Sequence, residues 1–170
     1  PDPRNHEHVV SEIRKRVPEN FTIRTLKADP AAGILHAAYL NRVEMIVMGS
    51  HGRSGIGRFL FGSVAEAVVR RSPAPVLIVR GDPGPIRSIL APINFTDYSK
   101  EAFLYAGRLA KRLDARMTAL HIAADETAAI PRRMRSWIAK LPREIRHSCH
   151  TEIRRPQGSI ADTILDAAWE

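Results

Sequence analysis

The residues best suited to chemistry lie in one run, Val47-Met48-Gly49-Ser50-His51-Gly52-Arg53-Ser54-Gly55-Ile56-Gly57-Arg58-Phe59-Leu60-Phe61-Gly62-Ser63. Glycines let a backbone adopt positive φ and bring its amides close to a ligand. A helix starting near Ser63 would add unpaired amides and the positive end of its dipole, a combination that favours phosphate. The Ser63 hydroxyl can donate a further hydrogen bond, and Val64 follows it in the first helical turn. Arg53 or Arg58 can lay a guanidinium across a triphosphate. Two commoner phosphate loops are excluded. There is no G-x-x-x-x-G-K-[ST], and G-x-G-x-x-G fails because Leu60 stands where Gly55-Ile56-Gly57 needs its third glycine. On composition alone, a plain strand-to-helix connection accounts for the glycines equally well.

Such a loop needs a strand before it and a helix after it. Met45 to Met48 is a short continuous apolar run, as expected of a strand buried on both faces. Ser63 to Arg71 is predicted as a helix, and Val76 to Val79 as a second buried strand introduced by Ser72-Pro73-Ala74-Pro75. Upstream, His8 to Val17 has helical spacing of Val9, Val10, Ile13 and Val17. Phe21 to Leu26 alternates as a strand does. Asp29-Pro30 opens a helix to about Asn41, with Asp29 as cap and Pro30 in the first helical position.

Downstream, Gly81-Asp82-Pro83-Gly84-Pro85 has linker composition. The pattern then restarts with a strand at Ile89 to Ile93. A helix from Ser99 to Leu113 is expected to bury Ala102, Phe103, Ala106, Leu109, Ala110 and Leu113. Met117 to Ala123 is predicted as a strand, Pro131 to Leu141 as a basic helix, Thr151 to Arg154 as a strand and Ile160 to Trp169 as a helix. Regular alternation of this kind predicts an α/β fold: an open, Rossmann-like parallel sheet with helices on both faces. Ligands bind such sheets beyond the carboxyl ends of the strands, where Gly49 falls.

An internal repeat sets the organisation. Ile34-Leu35-His36-Ala37-Ala38 matches Ile164-Leu165-Asp166-Ala167-Ala168, and Ile23-Arg24 matches Ile153-Arg154, both at a separation of 130 residues. That is one domain length, so two similar domains are expected: residues 1–80 as the later part of one, 81–87 as linker, and 88–170 as the earlier part of the next. On this reading neither domain is complete, and the chain is a piece of something longer. The halves either stay incomplete or join as a permuted hybrid, with Ile89 to Ile93 beside Met45 to Met48. The eight residues Arg80 to Arg87 can stretch about 26 Å, enough to return along a strand.

The spacing Gly49-x2-Gly52-x9-Gly62-Ser63 resembles the G-2x-G-9x-G-[ST] nucleotide motif of the universal stress protein family. The flanks resemble it too: Met45 to Gly52 before, Ser72 to Val79 after, Ile89 to Ser99 as an opening strand, and Leu120-His121-Ile122 as the end of a second strand. The resemblance covers nearly the whole chain. It implies a five-stranded parallel sheet and, where the motif is intact, ATP with or without Mg2+. By position, Gly49, Gly52, Gly62 and Ser63 would hold phosphates, while Ser50, His51 and Arg53 line the loop. The family's first strand ends in an aspartate near the nucleoside; here that position is Asn94, which keeps hydrogen-bonding capacity but not the charge. Asp97 is expected at a helix start. The resemblance also implies pairing through the last strand, Val76 to Val79, giving a homodimer or an intramolecular pairing of tandem domains. A stress-responsive binding or signalling module is therefore expected. The alternatives are an interaction module with a vestigial site and a slow ATPase. No general base is evident, so at most weak hydrolysis is expected.

Composition narrows the remaining classes. Apolar residues at 44% and charged residues at 26% suit a globular domain with a core. No apolar run is long enough to span a membrane. Pro1-Asp2-Pro3-Arg4 lacks an apolar signal region, and a single cysteine, Cys149, suits a reducing cytoplasm. The net charge of +8 suits phosphate-bearing partners, but the arginines are scattered and aromatics are 6%, so nucleic acid is disfavoured. His147-Ser148-Cys149-His150 lacks a second cluster at zinc-like spacing, so no metal site is expected. No G-x-S-x-G surrounds Ser50 or Ser63, and His51 is read as lining the loop rather than as an acid–base group.

Overall fold

The computed structural model describes residues 3–49, 62–81, 84–125 and 127–170, and the chain divides into two compact units, Pro1–Asp82 and Pro83–Glu170. The first unit begins with helix α1, Pro3–Arg14, which ends three residues before the predicted Val17. Helix α2, Pro30–Leu40, starts as its sequence dictates: the Asp29 side chain accepts a hydrogen bond from the Ala32 amide at 2.9 Å, and Pro30 fills the first helical turn. Arg42, with φ 47, turns the chain out of it.

Strand β1, Ile46–Gly49, runs parallel to β2, Val76–Val79, in a register that sets Ile46 opposite Val76 and Gly49 opposite Val79. Helix α3, Ser63–Arg71, lies between them in sequence and contacts both α2 and β2. Its Ala65 and Val68 are buried, as are the small residues Ala31, Gly33 and Ala38 of α2, which allow close helix packing.

Phe21 to Leu26 forms no strand, contrary to its alternation. A strand exists only where a neighbour takes up its backbone hydrogen bonds. Among the described residues of this unit, the two strands pair with each other. The repeat counterpart of Phe21 to Arg24, Thr151 to Arg154, lies in a strand because the second unit supplies a partner for it.

The second unit carries a parallel sheet of order β3-β4-β5, formed by Ser88–Ile93, Arg116–Ile122 and Cys149–Arg154. Among the described residues the hydrogen-bonded sheets are β1-β2 and β3-β4-β5. Helix α4, Asp97–Leu113, is capped by Thr96, whose side chain accepts from the Ser99 amide at 3.3 Å; Asp97 is the first helical residue rather than the cap. Asp114 closes the helix in the left-handed region, with φ 51.

Helix α5, Ala129–Ile138, and the short helix α6, Arg143–Arg146, follow β4; helix α7, Ile160–Trp169, follows β5. Phe103 and Ala110 of α4, Met117 and Ala119 of β4, Met134 of α5, Leu141 and Ile145 of α6 and its lead-in form one buried cluster. Alternation along β4 sends Leu120 the other way, where Ile160 and Ile164 of α7 line the same cleft. The two faces of this sheet therefore each carry helix.

On α4 the buried stripe is Phe103, Gly107 and Ala110; Ala102 and Leu113 are exposed, against expectation. One residue rotates the helix by about 100°, so Ala102 points sideways once Phe103 faces the sheet. Gly107 carries no apolar side chain and so gives no sign in the helical periodicity, yet it is the point where Leu141 presses on the helix.

Candidate functional site

Four of the expected site residues belong to the described part of the first unit. Gly49 ends β1 and is exposed, and no described atom lies within 4 Å of the place a Cβ would take. Gly62 is the N-cap of α3, with φ −58 and ψ 146 and no side-chain cap. Ser63 is the first helical residue and is exposed; Val64, the next, is half-buried. The Gly62 carbonyl accepts from the Glu66 amide at 3.0 Å, the first bond of the helical ladder. The amides from Gly62 to Ala65 consequently have no acceptor within the helix. Ser50, His51, Gly52 and Arg53 lie outside the described residues.

The electrostatics at this helix start favour an anion. Glu66, the acidic residue of the first turn, is held in an ion pair with Arg70 at 3.0 Å, one turn further along. Its carboxylate is thereby partly neutralised. The first turn keeps its positive dipole end, worth roughly 0.3–1 kcal/mol for a charge at an exposed terminus.

Asn94 belongs to the second unit, immediately after β3. Its side-chain oxygen accepts from the Thr96 hydroxyl at 2.7 Å and from the Thr96 amide at 3.3 Å. The Asn94 amide donates to the Ser99 hydroxyl at 3.3 Å. These bonds tie the β3–α4 turn together. Beside the turn, Pro92, Asn94, Thr96 and Tyr98 join Leu120, Ile122, Ile160 and Ile164 around a cleft of about 330 Å³.

Behind the turn is a group that motif reading did not single out. Phe95, with φ 61, packs at a tilt against His121 at 4.6 Å between centroids and edge-to-face against Trp137 at 5.3 Å, and the Arg133 guanidinium lies 4.2 Å from its centroid. The His121 Nδ1 is 2.8 Å from the Ile93 carbonyl oxygen. A carbonyl can only accept, so Nδ1 carries the proton and donates. The signal available in the sequence was weak: single residues from three different elements.

The shifted titratable groups lie away from these positions. A hydrogen bond from Lys111 holds the Glu144 carboxyl below its usual range, and Arg154 does the same to Glu170. Burial pushes the Cys149 thiol up, which keeps it protonated and poorly nucleophilic. No helix among the described residues is long and apolar enough to cross a membrane.

Known proteins share this architecture. A universal stress protein from Archaeoglobus fulgidus superposes with a TM-score of 0.74 at 24% identity, over 98% of this chain and 63% of that one, a likeness of fold. Universal stress protein MJ0531 of Methanocaldococcus jannaschii is 42% identical over 55 residues, which is 32% of this chain and 32% of that protein. Universal stress protein Rv2005c of Mycobacterium tuberculosis is 34% identical over 97 residues, covering 54% of this chain and 33% of that protein. The chain thus matches about a third of the length of these curated relatives. The profile of the universal stress protein family matches residues 4–80 and again 85–168, nearly every residue of both units, and the chain belongs to that family.

Proposed function

We propose that the chain is an ATP-binding module of a stress-response protein. Phosphates would be held by the amides and hydroxyl at the start of α3, by Gly49, and by the intervening Ser50, His51, Gly52 and Arg53. The observation that carries this reading is Gly62: it caps a nine-residue helix, the next described element in sequence after a parallel strand ending in an exposed glycine, with no side chain of its own occupying the helix amides. The donor set suits phosphate oxygens, and Mg2+ would be held mainly by the nucleotide. On this reading ATP acts as a ligand that shifts a conformational or oligomeric equilibrium.

The two matches to the family profile, with the repeat, support residues 1–80 as the later part of one domain and 88–170 as the earlier part of a second. Asn94 would then serve the second domain's nucleoside pocket, separate from the loop in the first. A cytoplasmic location fits this reading.

Isothermal titration of the protein with ATP, with and without Mg2+, tests the proposal. Saturable binding is expected, weakened about tenfold or more by Gly62→Asp. Aspartate is an equally good cap, so this variant should fold normally while its carboxylate opposes phosphate. Absence of binding at millimolar ATP removes the proposal. A second reading, pairing through β2, is favoured by that strand being hydrogen-bonded only to β1 among the described residues. It predicts association that is unaffected by Gly62→Asp.

A further inference from the structure

One stretch of the second unit concentrates cations, and the fold sets those of a neighbouring helix beside it. Between Ala128 and His147 there are six arginines and lysines and one carboxylate, Glu144. The rest of Pro83–Glu170 holds eight basic and nine acidic side chains, so the excess of this unit resides in that stretch. Arg132, Arg135, Lys140, Arg143 and Arg146 are all exposed. Between them, Ile130, Met134, Leu141 and Ile145 are buried in the core beneath α5 and α6. The cations are therefore mounted on fixed backbone, with their alternating apolar neighbours as anchors.

Helix α4 extends the same surface. It contacts α6, and the Lys111 ammonium reaches the Glu144 carboxylate at 2.7 Å. Exposed Arg108 and Arg112 flank Lys111 along that helix. The single carboxylate of the α5–α6 stretch is thus already paired. Among the described residues, Arg132, Arg135 and Arg143 have no ion pair.

We propose that the exposed face of α4, α5 and α6 binds the phosphate backbone of a nucleic-acid duplex, without reading its sequence. Guanidinium forks suit phosphate, and five of the six cations in the stretch are arginine. Arg132 and Arg135 are three residues apart and project from one side of α5, at a separation of about 5–6 Å between their Cβ atoms. A bilayer fits less well: the apolar side of α5 is spent on the core, with Ile130 and Met134 buried, so nothing is left to insert among acyl chains. Single strands fit less well too, because Trp137 and Phe95 are committed to each other beneath this face. The face is remote in sequence from the glycine loop, so it stands or falls independently of ATP binding.

Fluorescence anisotropy with a labelled duplex of about 20 base pairs, at salt from about 50 to 200 mM, tests this. Binding that falls steeply with salt is expected. Arg132→Glu, Arg135→Glu and Arg143→Glu together should weaken it at least about tenfold, and the three Arg→Gln changes should give a smaller loss in the same direction. Reversing Arg16, Lys27 and Arg71, three exposed cations of the first unit, changes the charge equally and should leave most of the affinity intact. No duplex binding at the lowest salt, an equal loss in that control, or tighter binding to phosphatidylglycerol vesicles than to duplex would each overturn the proposal.

Discussion

Phe95 shows how one residue can be required by its surroundings while violating its own preference. A left-handed backbone costs an ordinary residue about 1–2 kcal/mol. Here it is offset by aromatic and cation contacts to His121, Trp137 and Arg133. The conformation turns the chain from β3 into α4 and places Asn94 and Thr96 in their mutual hydrogen bonds. The competing terms can be separated by two substitutions. Phe95→Ala loses the ring and keeps the strain. Phe95→Gly loses the ring and releases the strain. Both should destabilise by about 2–4 kcal/mol, with the glycine variant the more stable by about 1 kcal/mol. That order reverses the usual penalty of glycine relative to alanine. Urea unfolding followed by Trp137 fluorescence measures it, and a glycine variant less stable than the alanine variant would show that the backbone there is not strained.

Elements were legible in the sequence wherever their cause was local. Helix α3 and strand β2 have the ends their residues predict, and Asp29 caps α2 through the bond expected of it. Phe21 to Leu26 departs from its pattern because alternation shows that a segment can be a strand, not that a partner exists. Most of the candidate loop, residues 50–61 and with them Ser50, His51, Gly52 and Arg53, lies outside the described residues, so its two ends, Gly49 and Gly62-Ser63, are what the structure sets beside the motif. Gly107 was invisible for the opposite reason, since its importance is set by α4 meeting the lead-in to α6. A Cβ at Gly107 would sit 2.5 Å from Leu141 Cδ2, and Leu141 is 2% exposed. Overpacking of this kind costs about 1–3 kcal/mol, against about 1 kcal/mol gained in helix propensity. Gly107→Ala should therefore be neutral to about 2 kcal/mol destabilising, and in a double-mutant cycle with Leu141→Ala the two losses should add to less than their sum. Additive losses would mean that Leu141 yields freely. Nearby, the Lys111–Glu144 bridge ties α4 to α6. Because the folded state lowers the Glu144 pKa, its contribution is present above the ordinary glutamate range and is lost as pH falls through the lowered value. An NMR titration of the Glu144 carboxyl should find a midpoint below that of a free glutamate, moving back up in Lys111→Met.

At the scale of the whole molecule, the division into two units gives the proposed ATP site and the proposed nucleic-acid face separate addresses, and it supplies a way to test them separately. Both tryptophans, Trp137 and Trp169, belong to the second unit, whereas the glycine loop belongs to the first. Tryptophan fluorescence therefore reports the second unit, and far-ultraviolet circular dichroism reports both. A ligand that binds only folded protein stabilises the unit it binds by RT ln(1 + [L]/Kd), about 2.7 kcal/mol at a hundredfold excess over Kd. For a unit of this size, 1 kcal/mol moves the melting midpoint by about 4–8 °C. Saturating ATP should accordingly raise the part of the dichroism transition that tryptophan does not see, and leave the fluorescence transition nearly in place. A duplex should do the reverse, raising the fluorescence transition through the α4–α6 face. Gly62→Asp should cut the first shift by about half or more and spare the second. If ATP instead moves only the fluorescence-detected transition, the nucleotide is held by the unit that carries Asn94, and the loop from Gly49 to Ser63 is not what binds it.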